Sequence, residues 1–202
     1  PAIVMIKDFC YVFNMLHFRK INSEDFHGIY HDMLEQFPLS ELKAYQTFAE
    51  LIDNGAYDVL IAEKENDQVG YCLIFKGEKY IFLDYIAIFR IRQGKGFGGE
   101  ILEKLKEFYP DKKGCFLEVE KPNPEDINTY RRIRFYDMHG AEKLDINYLY
   151  PNKDGSLPMD LYYIGYKTKV PAKEEIKEFI ESLFETIHRD IPHRRKVLAE
   201  IF

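Results

Sequence analysis

Apolar positions repeat with two different periods along this chain. Between residues 57 and 89 they alternate or run in short blocks, as "YDVLIAEK", "QVGYCLIFKG" and "KYIFLDYIAIF", split by the polar turns "ENDQ" and "KGEK". Runs of this kind, rich in Val, Ile, Tyr and Phe and joined by short turns, predict an antiparallel meander. Two helices are predicted before it. The first is "INSEDFHGIYHDMLEQF", capped by Asn22 or Ser23 and broken by Pro38, and the second is "SELKAYQTFAELIDNG", capped by Ser40 and stopped by Gly55. After the meander, Ile101, Leu102, Leu105 and Phe108 mark one face of a third helix. A strand "GCFLEVEK", a helix over about 125–138 with Gly140 just past its end, and strands "LDINYLYP" and "PMDLYYIGYKTK" follow. Beyond Pro171, Ile176, Phe179, Ile180, Leu183, Phe184 and Ile187 form the apolar stripe of a last helix.

The predicted order is α, α, β, β, β, α, β, α, β, β, α. That is an α+β layout: a mostly antiparallel mixed sheet flanked by helices, with an added C-terminal helix. Residues 1–170 are expected to form one domain, and 171–202 a helical extension packed on it. The stripe of the extension reads first as core packing and second as a contact between two copies in a homodimer.

Composition narrows the class. The 202 residues are 46% hydrophobic and 31% charged, as in a soluble globular domain. The net charge of −6 gives no pull toward nucleic acid or an anionic membrane, and suits a cationic acceptor. Cys10, Cys72 and Cys115 are widely spaced and set in apolar surroundings, which predicts buried free thiols in a reducing compartment. The opening "PAIVMIKDFCYVF" has no basic region of the secretion-signal type, so the cytoplasm is the expected location. The six histidines form no ligand set, and no metal is expected.

The chemistry concentrates in "RQGKGFGGEILEKL", residues 92–105, where four glycines fall within six positions at the start of a helix. Free N–H groups and the helix dipole make such a turn an anion site. Two grammars fit it. Gly94, Gly96 and Gly99 match G-x-G-x-x-G, with Glu118 and Glu120 about 20 residues on, as in dinucleotide-binding units. Against that reading, "FRIRQ" separates the strand from the first glycine, and the preceding strands read as a meander rather than parallel βαβ units. The second grammar is Q-x-x-G-x-G at Gln93, Gly94, Lys95, Gly96, Phe97 and Gly98.

That second signature resembles the acyl-CoA motif of the GNAT acetyltransferase superfamily. "DYIAIFRIRQGKGFGGEILEKL" has the family's strand–loop–helix register, and "RRIRFYDMHGAEK" resembles its second signature. The resemblance covers roughly 20–165 and departs from the pattern at Arg90, Gln93, Thr129 and Ala141. It implies acetyl-CoA as co-substrate and direct transfer to a small-molecule or peptide amine. It implies that the backbone of Gly94 to Gly99 cradles the CoA pyrophosphate, with Arg92 and Lys95 adding charge. Ile86, Ala87 and Ile88 would line the pantetheine arm where two strands splay, with an oxyanion donor near Ile86. Tyr136 matches the family's tyrosine and is the expected general acid. A different acyl group, a hydroxyl acceptor and a non-catalytic acyl-CoA-binding regulatory or interaction protein are the rival readings.

The base is read from strand alternation. Asp84 lies two before Ile86, which predicts one shared sheet face, and Glu118 and Glu120 share a face of their strand. A carboxylate inside an apolar strand is costly unless solvated or paired, so these acids are expected at a cleft or beside a cation. Asp84 and Glu118 are the expected bases. Arg131, Arg132 and Arg134 are the possible cationic partners. Tyr148 and Tyr150 read as core residues, with the acceptor pocket as the second reading.

Overall fold

The computed structural model describes residues 15–202. Cys10 and the whole of the opening stretch "PAIVMIKDFCYVF" lie outside the described residues. β1 (His17–Ile21) forms an edge strand that the periodicity did not predict, because only Ile21 of its five residues is buried. α1 (His27–Gln36) and α2 (Tyr45–Asp53) both start later than their predicted caps. Asn22 Oδ1 does accept from the Asp25 N–H at 3.0 Å, but it holds a turn ahead of the helix. After Pro38 the chain makes one 3₁₀ turn at Leu39–Glu41 and then runs extended through Leu42 and Ala44. Ser40 therefore caps nothing.

The meander is present as β2 (Tyr57–Lys64), β3 (Asp67–Lys76) and β4 (Tyr80–Ile88), paired antiparallel in sequence order. α3 (Phe97–Phe108) leads to β5 (Gly114–Glu120), which lies parallel to β4. α4 (Ile127–Met138) follows and ends before Gly140, whose φ of 78° is the left-handed turn predicted there. β6 (Ala141–Lys143), β7 (Leu149–Asn152) and β8 (Gly155–Gly165) complete the sheet, with β8 antiparallel to β5 and bordered by the other two. The strand order is β1-β2-β3-β4-β5-β8-β6. One parallel pair in an otherwise antiparallel sheet rules out the parallel series that a dinucleotide-binding unit needs.

Each sheet face carries its own apolar layer. Ile101, Leu102 and Leu105 of α3 and Tyr136 of α4 pack on one face with Cys72 and Cys115, both buried free thiols. Phe108, at the end of the predicted α3 stripe, stays partly exposed against Phe18. The other face holds α1, α2, α5 (Lys173–Ile187) and α6 (Arg194–Ile201). All six predicted stripe residues of α5 are buried in that layer. Phe179, for instance, stacks on Phe116 of β5 at 4.9 Å. The stripe is thus core, which closes its second reading as a contact between copies.

Candidate active site

The β4–β5 ladder runs from Tyr80 opposite Gly114 to Leu83 opposite Leu117, and then stops. The two strands continue but no longer pair. Their fork opens into a cleft of about 730 Å³, lined by Asp84 to Ile88, Glu118 to Glu120, Tyr136, Tyr150 and the segment from Gln36 to Glu41. Phe89 N–H donates to Val69 of β3 at 3.1 Å. By strand alternation, the N–H and C=O groups of Ile86 and Ile88 therefore face away from β3, into the fork. The Ile88 carbonyl is already taken by the side chains of Gln93 at 3.1 Å and Gln36 at 3.4 Å. Gln93 thus braces the strand end with its side chain, while its backbone stays in the glycine loop.

A β-bulge corrects the expected placement of Asp84. Leu73 lies opposite Tyr85 and Ile74 opposite Leu83, so Asp84 is the extra residue. The bulge breaks the alternation that placed Asp84 and Ile86 on one face. Asp84 instead follows Phe82 toward the α1/α2 side, and Ile86 packs on the α3/α4 side. The Asp84 side chain is 1% exposed, ion-paired with Lys43 at 3.0 Å and hydrogen-bonded by the Tyr57 hydroxyl.

Glu118 is held very differently. β5 has no bulge against β8, so Glu118 shares the face of Phe116 and meets Asp84 at the root of the fork. Its Oε2 is buried and has no hydrogen-bond partner; the Tyr148 hydroxyl beside it is also unpartnered. Burial, reinforced by the Asp84 carboxylate, pushes the Glu118 carboxyl up to about 8. Glu120, one turn of the pleat further out, pairs with Arg132. Glu41 on the opposite wall is raised by burial, against a lowering pull from Arg132. Arg132, read as one of three possible partners, is the one that reaches the cleft.

Tyr136 enters from α4. Asp126 accepts from the Asn128 N–H at 2.9 Å to start that helix. Thr129 Oγ1 accepts from the Asn123 N–H at 2.9 Å and donates to the Asp126 carbonyl at 2.8 Å. Burial raises the Tyr136 hydroxyl above the ordinary phenol range, so it keeps its proton at neutral pH. Tyr150 lines the cleft and donates to the Glu41 carbonyl at 3.0 Å. Tyr148 is fully buried, in keeping with the core reading.

The glycine loop supplies the anion site. Gly94 and Gly96 have φ of 75° and 84°, and Gly96 caps α3. Among the described residues, the N–H groups of Gly94, Lys95, Gly96, Phe97 and Gly98 donate to no protein acceptor. Successive free N–H groups at a helix start form an anion-binding nest. A Cβ on Gly94 or Gly96 would meet nothing, so the backbone conformation alone demands glycine there. At Gly98 and Gly99 the reason differs. A Cβ would come within 3.1 Å of Phe135 and 2.5 Å of His139, so these two glycines serve the packing of α3 on α4. Arg92 pairs with Asp67 at 2.6 Å, whereas Lys95 is exposed with no ion-pair partner among the described residues.

The sequence reading missed Lys43, Tyr57 and Glu41. "SELKAY" reads as the start of a helix, and nothing in that pattern singles out Lys43. Among the described residues no helix is long and apolar enough to cross a membrane, and no group of three or more His, Cys, Asp or Glu side chains is placed to hold a metal.

Comparison with known proteins agrees with this geometry. A Bacillus subtilis (strain 168) protein provisionally named as the acetyltransferase YjbC is 26% identical over 160 residues, covering 79% of this chain and 80% of its own. A solved Bacteroides thetaiotaomicron structure, provisionally assigned as a GNAT-family acetyltransferase, superposes with a TM-score of 0.73 at 25% identity, covering 85% of this chain and 97% of its own. Arabidopsis thaliana NAA60, solved in complex with acetyl-CoA, shares the fold with a TM-score of 0.57 at 13% identity over 75% of this chain and 98% of its own. Residues 22–135 match the model of the acetyltransferase (GNAT) family, more than half of the chain and across the fork, the glycine loop and most of α4. The chain belongs to that family.

Proposed function

We propose that this protein transfers an acetyl group from acetyl-CoA directly to a primary amine on a small molecule or a peptide. The observation that carries the reading is the fork itself. Its cleft holds a buried carboxyl with an unpartnered oxygen and a protonated tyrosine, and β4 runs on from it into the loop whose free N–H groups form the nest. The nest fits a pyrophosphate, and the free backbone edge of Ile86, with the Ile88 N–H, fits an amide-bearing arm. Acetyl-CoA supplies an activated acyl group. Gly94 to Gly99 and Lys95 would hold its phosphates, and Ile86, Ala87 and Ile88 its arm.

The protein's own groups divide the proton work. An alkylammonium acceptor is drawn to the acids of the cleft, Glu41, Glu118 and Glu120. Glu118, with its raised proton affinity, removes the proton that makes the amine unreactive. Tyr136 keeps a proton to give to the departing sulfur, and the Ile86 N–H is the oxyanion donor. Asp84 is committed to Lys43 and Tyr57, which leaves Glu118 as the base.

The test is calorimetry with acetyl-CoA, CoA and NADH in parallel, followed by thiol release across a panel of monoamines, diamines and peptide amino termini. Acetyl-CoA binding with turnover of an amine supports the reading. Binding without turnover on any amine returns the non-catalytic alternative, and NADH binding overturns the loop assignment.

Two variants probe the halves of the site. Gly96→Val adds strain of about 1–2 kcal/mol at a left-handed residue but meets no neighbour. The fold should survive while acetyl-CoA binding is lost; retained binding would refute the cradle. Tyr136→Phe is expected to lower kcat by about 10²-fold with the acetyl-CoA Kd unchanged. Undiminished turnover would remove its acid role.

A further inference from the structure

Lys43 is a buried cation that the proposed chemistry does not use. It sits between the 3₁₀ turn and α2, with its side chain 4% exposed. Its ammonium lies 3.0 Å from Asp84 Oδ2 and over the ring of Tyr85 at 5.5 Å. A buried charge persists only with compensation, and here Asp84 provides it. The same segment is clasped a second time, because the Glu41 carbonyl accepts from the Tyr85 hydroxyl at 2.5 Å and from Tyr150 at 3.0 Å. The acceptor-side wall of the cleft is thus fastened to the bulge of β4 and to β7 by side chains that all converge near Glu118.

We propose that Lys43 is a positioning residue of the active site: by neutralising Asp84 at the root of the fork, it sets the charge that Glu118 faces and so the pH at which Glu118 can act. This rests on the assignment of Glu118 as the base. The groups that face Glu118 are Asp84 from β4, Tyr148 ahead of β7, and Lys43 and Glu41 from the clasped segment. The hydroxyls of Tyr57, Tyr85 and Tyr150 also feel its charge and stay protonated. His188, edge-to-face with Tyr150, is held neutral by burial and by the charge of Lys43. Arg132 of α4 also lines the cleft but is paired with Glu120, so on the clasped wall Lys43 is the cation and Asp84 the anion beside it. The two act on Glu118 with opposite sign: the anion favours its protonated form, and the cation favours its ionised form. The Glu118 midpoint, raised by burial and by the Asp84 charge, reports the proton that must leave before Glu118 can accept another.

The experiment is an NMR titration of the protein labelled with ¹³C at glutamate carboxyl carbons, with the Glu118 signal assigned by its loss in Glu118→Gln. Asp84→Asn should lower the Glu118 midpoint by about one pH unit or more, and Lys43→Met should raise it by a similar amount. The double variant Lys43→Met with Asp84→Asn should return toward the wild-type value, since the opposed charges leave together. The acid limb of kcat/KM for acetyl transfer should move with the midpoint. A purely structural role for Lys43 would give loss of activity with no such opposed shifts. Unchanged midpoints, or shifts of the same sign in both single variants, would overturn the proposal. If Lys43→Met does not fold, Asp84→Asn and the double variant still decide it, because removal of a buried ion pair as a unit is well tolerated. Full activity in Glu118→Gln would instead remove the base assignment, while the NMR midpoints would still report the charge linkage.

Discussion

Replacing Glu118 by glutamine is expected to lower kcat for acetyl transfer by roughly 10²–10⁴-fold, the usual contribution of a positioned general base. The change is nearly isosteric, so acetyl-CoA affinity should hold. The wild-type profile of kcat/KM against pH should rise through an acid limb near the point at which burial and Asp84 place this carboxyl, about 8, and the variant should lose that limb. Stability should respond in the opposite sense. The folded state raises the Glu118 pKa above its ordinary 4.5, so folding favours the protonated form. Its contribution is fully present below about 4.5 and is lost as pH rises through about 8. Above that window the wild type carries a buried carboxylate with an unpartnered oxygen. Glutamine removes that charge, so the variant should unfold at higher urea than the wild type at pH 9 and show less difference at pH 5. Unchanged turnover in the variant, with the limb intact, would assign the base elsewhere. The combination expected here, less activity and more stability at alkaline pH, marks a group held in a strained charge environment for chemistry.

The contrast between Glu118 and Asp84 shows where sequence reading succeeds and where it stops. Glu118 was legible because β5 runs against β8 without interruption, and period-two alternation carries a side chain to the expected face. Asp84 was misplaced because a single bulge, set by the pairing of β4 with β3, shifts the parity of everything beyond it. No local pattern in "FLDYIAIF" announces that bulge. Lys43 was invisible for a related reason. Its partner lies 41 residues away, and its segment is held down by Tyr85 of β4 and Tyr150 of β7 through the Glu41 carbonyl. The glycine loop was legible because its chemistry is local: left-handed residues and free N–H groups follow from the loop–helix junction alone. The meander and the α5 stripe were legible because their apolar residues outnumber any competing pattern. β1 and β6 were not, since "HFRKI" and "AEK" each bury a single residue and become strands only by adding to an existing edge. α6 buries only Val197 and Ile201 and is likewise a product of its surroundings.

Leu183→Ala carries the second large effect, on stability. Leu183 is fully buried on α5, in the apolar layer that also holds Tyr57 of β2, Phe116 of β5 and Phe48 of α2. Truncation of such a leucine costs about 2–5 kcal/mol through lost transfer energy and the cavity left behind. In a chain of this size that corresponds to a fall in Tm of roughly 4–20 °C. The shape of the transition matters as much as its midpoint. The match to the acetyltransferase family ends at residue 135, which on its own would allow α5 and α6 to be an appendage. The packing argues otherwise, because Phe179 stacks on Phe116 and Phe184 lies against His188, which meets Tyr150 edge-to-face in the cleft wall. We therefore expect Leu183→Ala to lower a single cooperative transition in both calorimetry and urea unfolding, with acetyl-CoA binding lost in step with the fold. Two separated transitions, with the upper one and acetyl-CoA binding left at wild-type values, would show that residues 171–202 fold as an independent extension. A single lowered transition would mean that the layer from which Asp84 and Glu118 emerge is not closed until α5 covers it, and that the catalytic fork is built on residues on both sides of the family match.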